Sequence, residues 1–328
     1  MSFLRYLVQI IILLALPIST MPLHAADAFP NHPITLVVPY PAGGVVDVRT
    51  REIGQVLSRE LGVNVIVDNR PGGLGGIGAA HVAKAKPDGY TLLVGSINEL
   101  VVVPAYGVEL QFDPNKDLAP ITTYLHGGML LVVPSALGVT TVQQLVALAK
   151  ARPGQLHYGT VGVGSILHLA GELLERSARI DLVDIPYKGG AQALPELLAS
   201  RTQLQFDFAA TSMPHIKAGT LRALMVTTSN RIPLLPDVPT AREAGYPALE
   251  IVTWGGFLAP AGTSQEVIAK LNGAFRKALA DPKIRQSIED MGGKVAPCSP
   301  EEFASVIRSE RDRWDKRIAL TGIRIAKP

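Results

Sequence analysis

Short β-branched runs alternate with amphipathic helical stretches along this chain, and four of the handovers are glycine-rich turns. Ile34 to Val38 reads as a strand and enters Pro39-Tyr40-Pro41-Ala42-Gly43-Gly44, ahead of a helical face of Ile53, Val56, Leu57 and Leu61. Val63 to Val67 reads as the next strand, followed by Pro71-Gly72-Gly73-Leu74-Gly75-Gly76-Ile77-Gly78. A helix over Gly78 to Lys86 then closes at Pro87-Asp88-Gly89, and Tyr90 to Val94 is a third strand. This βαβαβ rhythm predicts a parallel sheet covered by helices on both faces.

The rhythm restarts downstream. Met129 to Val133, His157 to Thr160, Leu182 to Ile185, Leu204 to Phe208 and Leu221 to Val226 are strand patterns, and Thr141 with Gln144 suggests a capping box. The other two glycine turns are Gly159-Thr160-Val161-Gly162-Val163-Gly164-Ser165 and Pro186-Tyr187-Lys188-Gly189-Gly190. Beyond a single strand pattern at Gly255 to Leu258 the chain turns helical. Ile268, Leu271, Phe275 and Leu279 share one face, and Ser299-Pro300-Glu301-Glu302 starts a helix whose buried stripe is Phe303, Ile307, Trp314 and Ile318. These helices are expected to pack onto the first lobe. With 328 residues, the chain fits two lobes of about 100–200 residues each.

The N-terminus has a different character. Arg5 precedes an apolar stretch from Tyr6 to Leu16, broken by Pro17 and followed by Ala25, Ala26 and Ala28. Charge, short apolar run and small-residue exit describe a secretory signal peptide, too short for the ~20 residues of a membrane span. Residues 1–28 are therefore expected to be removed, with cleavage between Ala25 and Phe29, leaving a periplasmic chain. Its one cysteine, Cys298, excludes an intramolecular disulfide. Net charge is +3 with Lys and Arg scattered, which argues against nucleic acid.

Glycine turns at strand-to-helix junctions expose backbone N–H groups at the positive end of a helix, a natural anion site. In doubly wound folds ligands gather at these carboxyl ends of strands. Competing chemistries are thinly supported. Gly73-x-Gly75-x-x-Gly78, with Glu99 further on, matches a dinucleotide fingerprint, but Asn69-Arg70-Pro71-Gly72 intervenes where a tight turn is required. No Ser stands in a G-x-S-x-G elbow, and no H-E-x-x-H occurs. His168 and Glu172 are four apart, too few ligands for a metal. Asp47 with Asp207 could be drawn as an acid–base pair, but Asp47 more simply orients the first loop. No catalytic residue, metal or cofactor is assigned.

The ordered set of motifs resembles the substrate-binding proteins of tripartite tricarboxylate transporters, the Bug receptors. The resemblance begins at Ile34-Thr-Leu-Val-Val-Pro-Tyr-Pro-Ala-Gly-Gly-Val-Val-Asp47 and passes through Asp68-Asn-Arg-Pro-Gly-Gly73 and Pro87-Asp-Gly-Tyr-Thr-Leu-Leu93. It continues through Tyr158 to Ser165 with His168-Leu-Ala-Gly-Glu172, Pro186-Tyr-Lys-Gly189 and Pro214-His-Ile-Lys-Ala-Gly219. It ends with Leu235-Pro-Asp-Val-Pro-Thr240 and Phe257-Leu-Ala-Pro-Ala-Gly-Thr263. It implies an α/β, two-lobed periplasmic-binding-protein (Venus flytrap) fold, each lobe a mainly parallel sheet flanked by helices. Residues 29–125 plus 253–328 would form lobe 1, and 126–252 lobe 2.

The same resemblance implies a non-enzymatic receptor that takes a small carboxylate for membrane transporter subunits; a monomer is expected, with the oligomeric state left open by the sequence. A solute-sensing receptor for a signalling protein, or an exported hydrolase using Asp47 or Ser165, are the alternatives. Onto this sequence it carries Tyr40, Ala42, Gly43, Gly44 and Asp47 from the first loop, and Thr160, Gly164, Ser165, His168, Tyr187 and Asp207 from the second lobe. Ser96 and Asn98 are added after the third strand. Ile166, Leu167 and Phe208 depart from the small polar residues and Asn usual there, which points to a ligand with an apolar or aromatic body.

Overall fold

The computed structural model describes residues 29–187, 190–290 and 292–321; residues 1–28, expected above to be a signal peptide, and Lys188 and Gly189 lie outside them. β1 (Ile34–Val38) pairs in parallel with β2 (Val65–Asn69) on one side and β3 (Thr91–Ser96) on the other. All of β1 except Thr35 is buried, as expected of a strand covered on both faces. Helix α1 (Val45–Leu61) buries Ile53 and Leu57, and stops at Gly62, whose φ of 71° forms the left-handed cap and whose N–H reaches Ser58 O. Helix α2 (Gly76–Ala83) follows β2.

The first sheet gains three more strands from distant chain segments, in the order β11-β4-β10-β3-β1-β2. β4 (Leu118–Gly127), β10 (Thr253–Pro260) and β11 (Lys294–Val295) all join antiparallel. The second sheet runs β7-β6-β8-β5-β9. Its strands are β5 (Met129–Pro134), β6 (Leu156–Thr160), β7 (Leu182–Pro186), β8 (Leu204–Phe208) and β9 (Leu221–Val226). Here too β7-β6-β8 is parallel, while β5 meets β8 and β9 antiparallel. Each sheet is thus mixed rather than mainly parallel. Strand–helix–strand units give the parallel part, and strands that change sheet enter against it.

The chain passes between sheets where β4 leads into β5 and again ahead of β10. Both passages are held by threonines: Met129 N–H donates to Thr227 Oγ1 (2.8 Å), Thr227 Oγ1–H to Ile251 O (2.7 Å) and Thr253 Oγ1–H to Gly127 O (3.2 Å). β10 is buried throughout. A Cβ on Gly256 would lie 2.3 Å from the Phe303 ring and 2.8 Å from Thr122 O, so only glycine fits this crossing.

In the second lobe α3 (Val142–Ala151), α4 (Ile166–Ala178), α5 (Gly190–Leu198) and α6 (Ala209–Lys217) flank the sheet. Thr141 caps α3 through Gln144 N–H, but the Gln144 side chain takes the amide of Thr140 rather than of Thr141. The C-terminal helices α7 (Gln265–Ala280), α8 (Pro282–Glu289) and α9 (Pro300–Thr321) lie mainly against the first sheet and α1. Ser299 and Glu302 form a reciprocal capping box. The expected stripe is buried, with Phe303 edge-on to Trp254. No helix among the described residues is long and apolar enough to cross a membrane.

One ionisable group strains this packing. Glu175 of α4 accepts the Leu182 amide at 2.7 Å, and burial pushes its carboxyl up to about 7 from an ordinary 4.5. The native state therefore binds the proton more tightly than the unfolded chain, so stability falls as pH rises from about 4.5 to about 7. Glu175→Gln, which keeps the acceptor, should stabilise by about 1–2 kcal/mol at about pH 8, allowing for screening of a half-buried group, and by nothing at about pH 4. Urea titrations at the two pH values check it; equal effects at both would refute it.

Candidate ligand-binding site

The loops that follow the carboxyl ends of β2, β3 and β6 approach one another, Leu74 reaching Gly162 and Asn98 reaching Ile166 N–H. Loop 39–44 leaves β1 with Gly43 at φ +78°, a left-handed conformation that a side chain disfavours. Asp47, in the first turn of α1, is 3% exposed and accepts the Gly43 N–H at 2.8 Å. Arg51, one helical turn on, ion-pairs with Asp47 at 2.9 Å and donates to Asn69 Oδ1 at 2.9 Å. Asn69 Nδ2 returns to Tyr40 O at 3.1 Å. Burial alone would raise the Asp47 carboxyl, but the hydrogen bonds from Arg51, the Gly43 amide and Asn69 outweigh it and hold the group below its usual range.

This closes the loop into a ring and decides which amides remain for a ligand. Gly43 spends its N–H on Asp47, and Gly44 makes only a long 3.4 Å contact to Pro41 O. Gly44 is also the N-cap of α1 and gives the helix no side-chain cap. The first turn of α1 therefore leaves backbone N–H groups without a side-chain cap, beside the Asp47 carboxylate that Arg51 pairs. Ala42 and Gly43 are exposed beside it.

Tyr40 anchors the other end. Its Oη–H donates to Glu99 Oε2 (2.6 Å) and lies 2.8 Å from Ser96 Oγ. Glu99 is fully buried against Gly75, far from any ribose-binding role, which removes the dinucleotide alternative. Asn98 sits at the start of a π-helical turn, Asn98–Val102. Its Nδ2 donates to Leu74 O at 2.9 Å, and its Oδ1 accepts Ile166 N–H, at the head of α4, at 3.1 Å. Both ends of this side chain are engaged by protein, one in each lobe. Leu74 itself has φ +54°, rare for a branched residue, and its side chain reaches Gly162 of the second lobe.

On the second lobe most expected residues turn out to support the loops. Thr160 Oγ1 accepts Gly162 N–H, and Thr160 O accepts Tyr187 N–H. Ser165 is the N-cap of α4, accepting His168 N–H at 3.2 Å. His168 Nε2 lies 3.8 Å from Glu172, with the ring 9% exposed. Gly164 takes φ +89° ahead of the cap. Tyr187 is half-buried beside Gly159. Asp207 is buried, and its Oδ2 accepts the hydroxyls of Thr211 and Ser212, both 2.5 Å away. Burial raises its carboxyl despite those bonds. Ile166 and Leu167 point into the core, while Phe208 is half-buried and Val163 is 47% exposed.

The fold brings Tyr40, Gly43, Asp47 and Ser96 into one connected group on the first lobe, and Asn98 joins it to Ile166, the residue after Ser165, on the second. Reading the sequence missed Arg51 and Asn69. Arg51 was signalled by its four-residue spacing from Asp47, and Asn69 by its place in Asp68-Asn-Arg-Pro-Gly-Gly73. Among the described residues no three metal-ligating side chains cluster.

The family profile described as tripartite tricarboxylate transporter family receptor matches residues 49–323. The UPF0065 protein in the tcbD-tcbE intergenic region of Pseudomonas sp. (strain P51) is 38% identical, covering 94% of this chain and 91% of its own. Protein BugT of Bordetella pertussis is 32% identical, covering 92% and 93%. Among solved structures, R. palustris Rpa4515 with adipate superposes with a TM-score of 0.85 at 34% identity, covering 90% of this chain and 99% of that one. MatC (Rpa3494) from Rhodopseudomonas palustris with bound malate gives 0.82 at 30%, covering 88% and 100%. This chain is a member of the tripartite tricarboxylate transporter receptor family.

Proposed function

We propose that the protein is exported by its N-terminal signal segment and works in the periplasm as a monomeric solute-binding protein. It captures a small carboxylate between lobe 1 (29–125 plus 253–328) and lobe 2 (126–252) and presents it to membrane transporter subunits. The observation that carries this reading is the unequal treatment of two helix starts that follow glycine loops. α4 is capped by Ser165, while α1 presents Gly44 and no side-chain cap. An uncapped helix start behind a glycine loop favours an anion, and the ring Gly43–Asp47–Arg51–Asn69–Tyr40 fixes it in place.

The ligand then meets the amides of Gly44 and the first turn of α1, with Tyr40, Ala42 and Gly43 shaping the rim. Thr160, Gly164, Ser165, His168, Tyr187 and Asp207 set the opposing wall. Closure adds the second set of contacts only when the lobes meet, which shifts the open–closed equilibrium. Two neighbours hold adipate and malate, both dicarboxylates. Phe208 and Val163 add apolar surface to the second wall, which favours a chain with a carboxylate end and an apolar body over a small hydroxy acid.

A thermal-shift and calorimetric screen tests this, using adipate, longer straight-chain diacids, aromatic acids, malate and citrate. Adipate or a more apolar acid should raise Tm by mass action and be recovered unaltered. Stabilisation by citrate alone would refute the apolar-body reading, and turnover of any acid would refute the receptor reading.

A further inference from the structure

Glu99 is a fully buried carboxyl behind the first loop, and the receptor reading gives it no task. Its Oε1 accepts the Ser96 amide. Its Oε2 forms a triangle with two hydroxyls: Tyr40 Oη at 2.6 Å and Ser96 Oγ at 2.7 Å, these two being 2.8 Å from each other. Three short oxygen–oxygen edges need three protons. The hydroxyls of Tyr40 and Ser96 bring two. If Glu99 is ionised, two protons serve three edges, so one edge sets two oxygens face to face with no proton between them. If Oε2 carries a proton, each oxygen donates once and accepts once, and the triangle closes in a single sense. The second lone pair of Ser96 Oγ is taken by the Asn98 amide at 3.1 Å.

The surroundings agree. The groups facing Glu99 are the side chains of Tyr40 from the first loop, Ser96 from β3 and Tyr124 from β4, none of them cationic, and the amides of Ser96 and of Glu99 itself, whose hydrogen bonds oppose the effect of burial without overcoming it. Gly75 closes the last side; a Cβ there would stand 3.0 Å from Oε2. A buried carboxylate without a cation is costly, and burial indeed raises this carboxyl above its ordinary range.

We propose that Glu99 is held as a neutral carboxylic acid whose proton completes a three-oxygen ring with Tyr40 and Ser96, positioning Tyr40 and keeping negative charge away from an anionic solute. This rests on the cleft reading above. Glu99 acts here through Tyr40, as a positioning residue. Ionising it opens the ring and sets a negative charge behind the anion loop, so affinity falls as pH rises through its titration.

The direct test needs no ligand. An infrared difference spectrum of wild type against Glu99→Gln at neutral pH should show the carbonyl band of a protonated carboxyl, lost in the variant. A carboxylate band in its place overturns the proposal whether or not the cleft binds carboxylates. The second test uses adipate as probe. Wild-type affinity should weaken by about 10-fold as rising pH ionises Glu99, while Glu99→Gln, which still offers a neutral donor, binds within about 3-fold of wild type at low pH with no such slope. A pH slope kept in a folded Glu99→Gln would assign the effect elsewhere and overturn the coupling. Failure of wild type to bind any carboxylate would sink the receptor reading and its coupling to Glu99, leaving the protonated ring to the spectrum.

Discussion

Asp47→Ala should weaken carboxylate binding by about 100-fold while the fold stays intact. Asp47 joins the two charged contacts that fix the first loop: it accepts the Gly43 amide and ion-pairs with Arg51, which in turn holds Asn69 and so the carbonyl of Tyr40. Hydrogen bonds to charged groups contribute about 1.5–3 kcal/mol each. Releasing both leaves the loop to be ordered by the ligand, and about 3 kcal/mol of lost preorganisation is about 100-fold in affinity. The fold tolerates the change because the released partners are not stranded. Gly43 is exposed and Arg51 is 48% exposed, so water replaces Asp47 at both.

The sign of this effect decides what Asp47 does. A negative charge close to an anion site repels the ligand, so a purely electrostatic Asp47 would make the alanine variant bind more tightly. Weaker binding means that positioning the loop outweighs that repulsion. Asp47→Asn keeps an acceptor for Gly43 but loses the pairing with Arg51, and should fall between the two. Calorimetry with adipate, alongside apo melting curves, separates the cases. Tighter binding by the alanine variant would overturn the role of the ring.

How much of this was readable beforehand depended on how local the physics was. The β1 run, the Gly43–Gly44 turn and the Ser299–Glu302 box depend on neighbours in the chain, and all appear in the fold. β4 was missed because Pro120, Thr122 and Thr123 interrupt its apolar pattern. Those threonines are buried only because their hydroxyls find Cys298 O and Ala296 O, far along the chain. The π-helical turn at Asn98–Val102 has an apolar sequence that also reads as strand, and the packing of α9 decides otherwise. In the site, the residue types were legible but not their directions. Ser165 and Thr160 look like ligand donors in sequence, yet their hydroxyl oxygens accept amides of their own loop. Ile166 and Leu167 look like a cleft wall, and burial at 5% and 4% exposure puts them in the core.

Asn98→Ala should leave ligand-free protein close to wild type in stability and weaken binding by about 30- to 100-fold, by preventing closure. Asn98 is 8% exposed, and its amide satisfies Leu74 O in one lobe and Ile166 N–H in the other. In a shut cleft, alanine leaves both backbone groups buried and unpaired, at about 1–3 kcal/mol each. In an open one both meet water and the loss is small. The substitution therefore acts on the difference between the two states, which is the quantity that closure depends on. Small-angle scattering with saturating adipate should show the wild type contracting and the variant staying extended. Asn98→Asp should be intermediate, since a carboxylate still accepts Ile166 N–H but turns a second acceptor toward Leu74 O. If Asn98 were instead a ligand contact, the variant would lose affinity and yet contract normally once saturated. That outcome would move Asn98 from the tie between lobes into the binding surface itself.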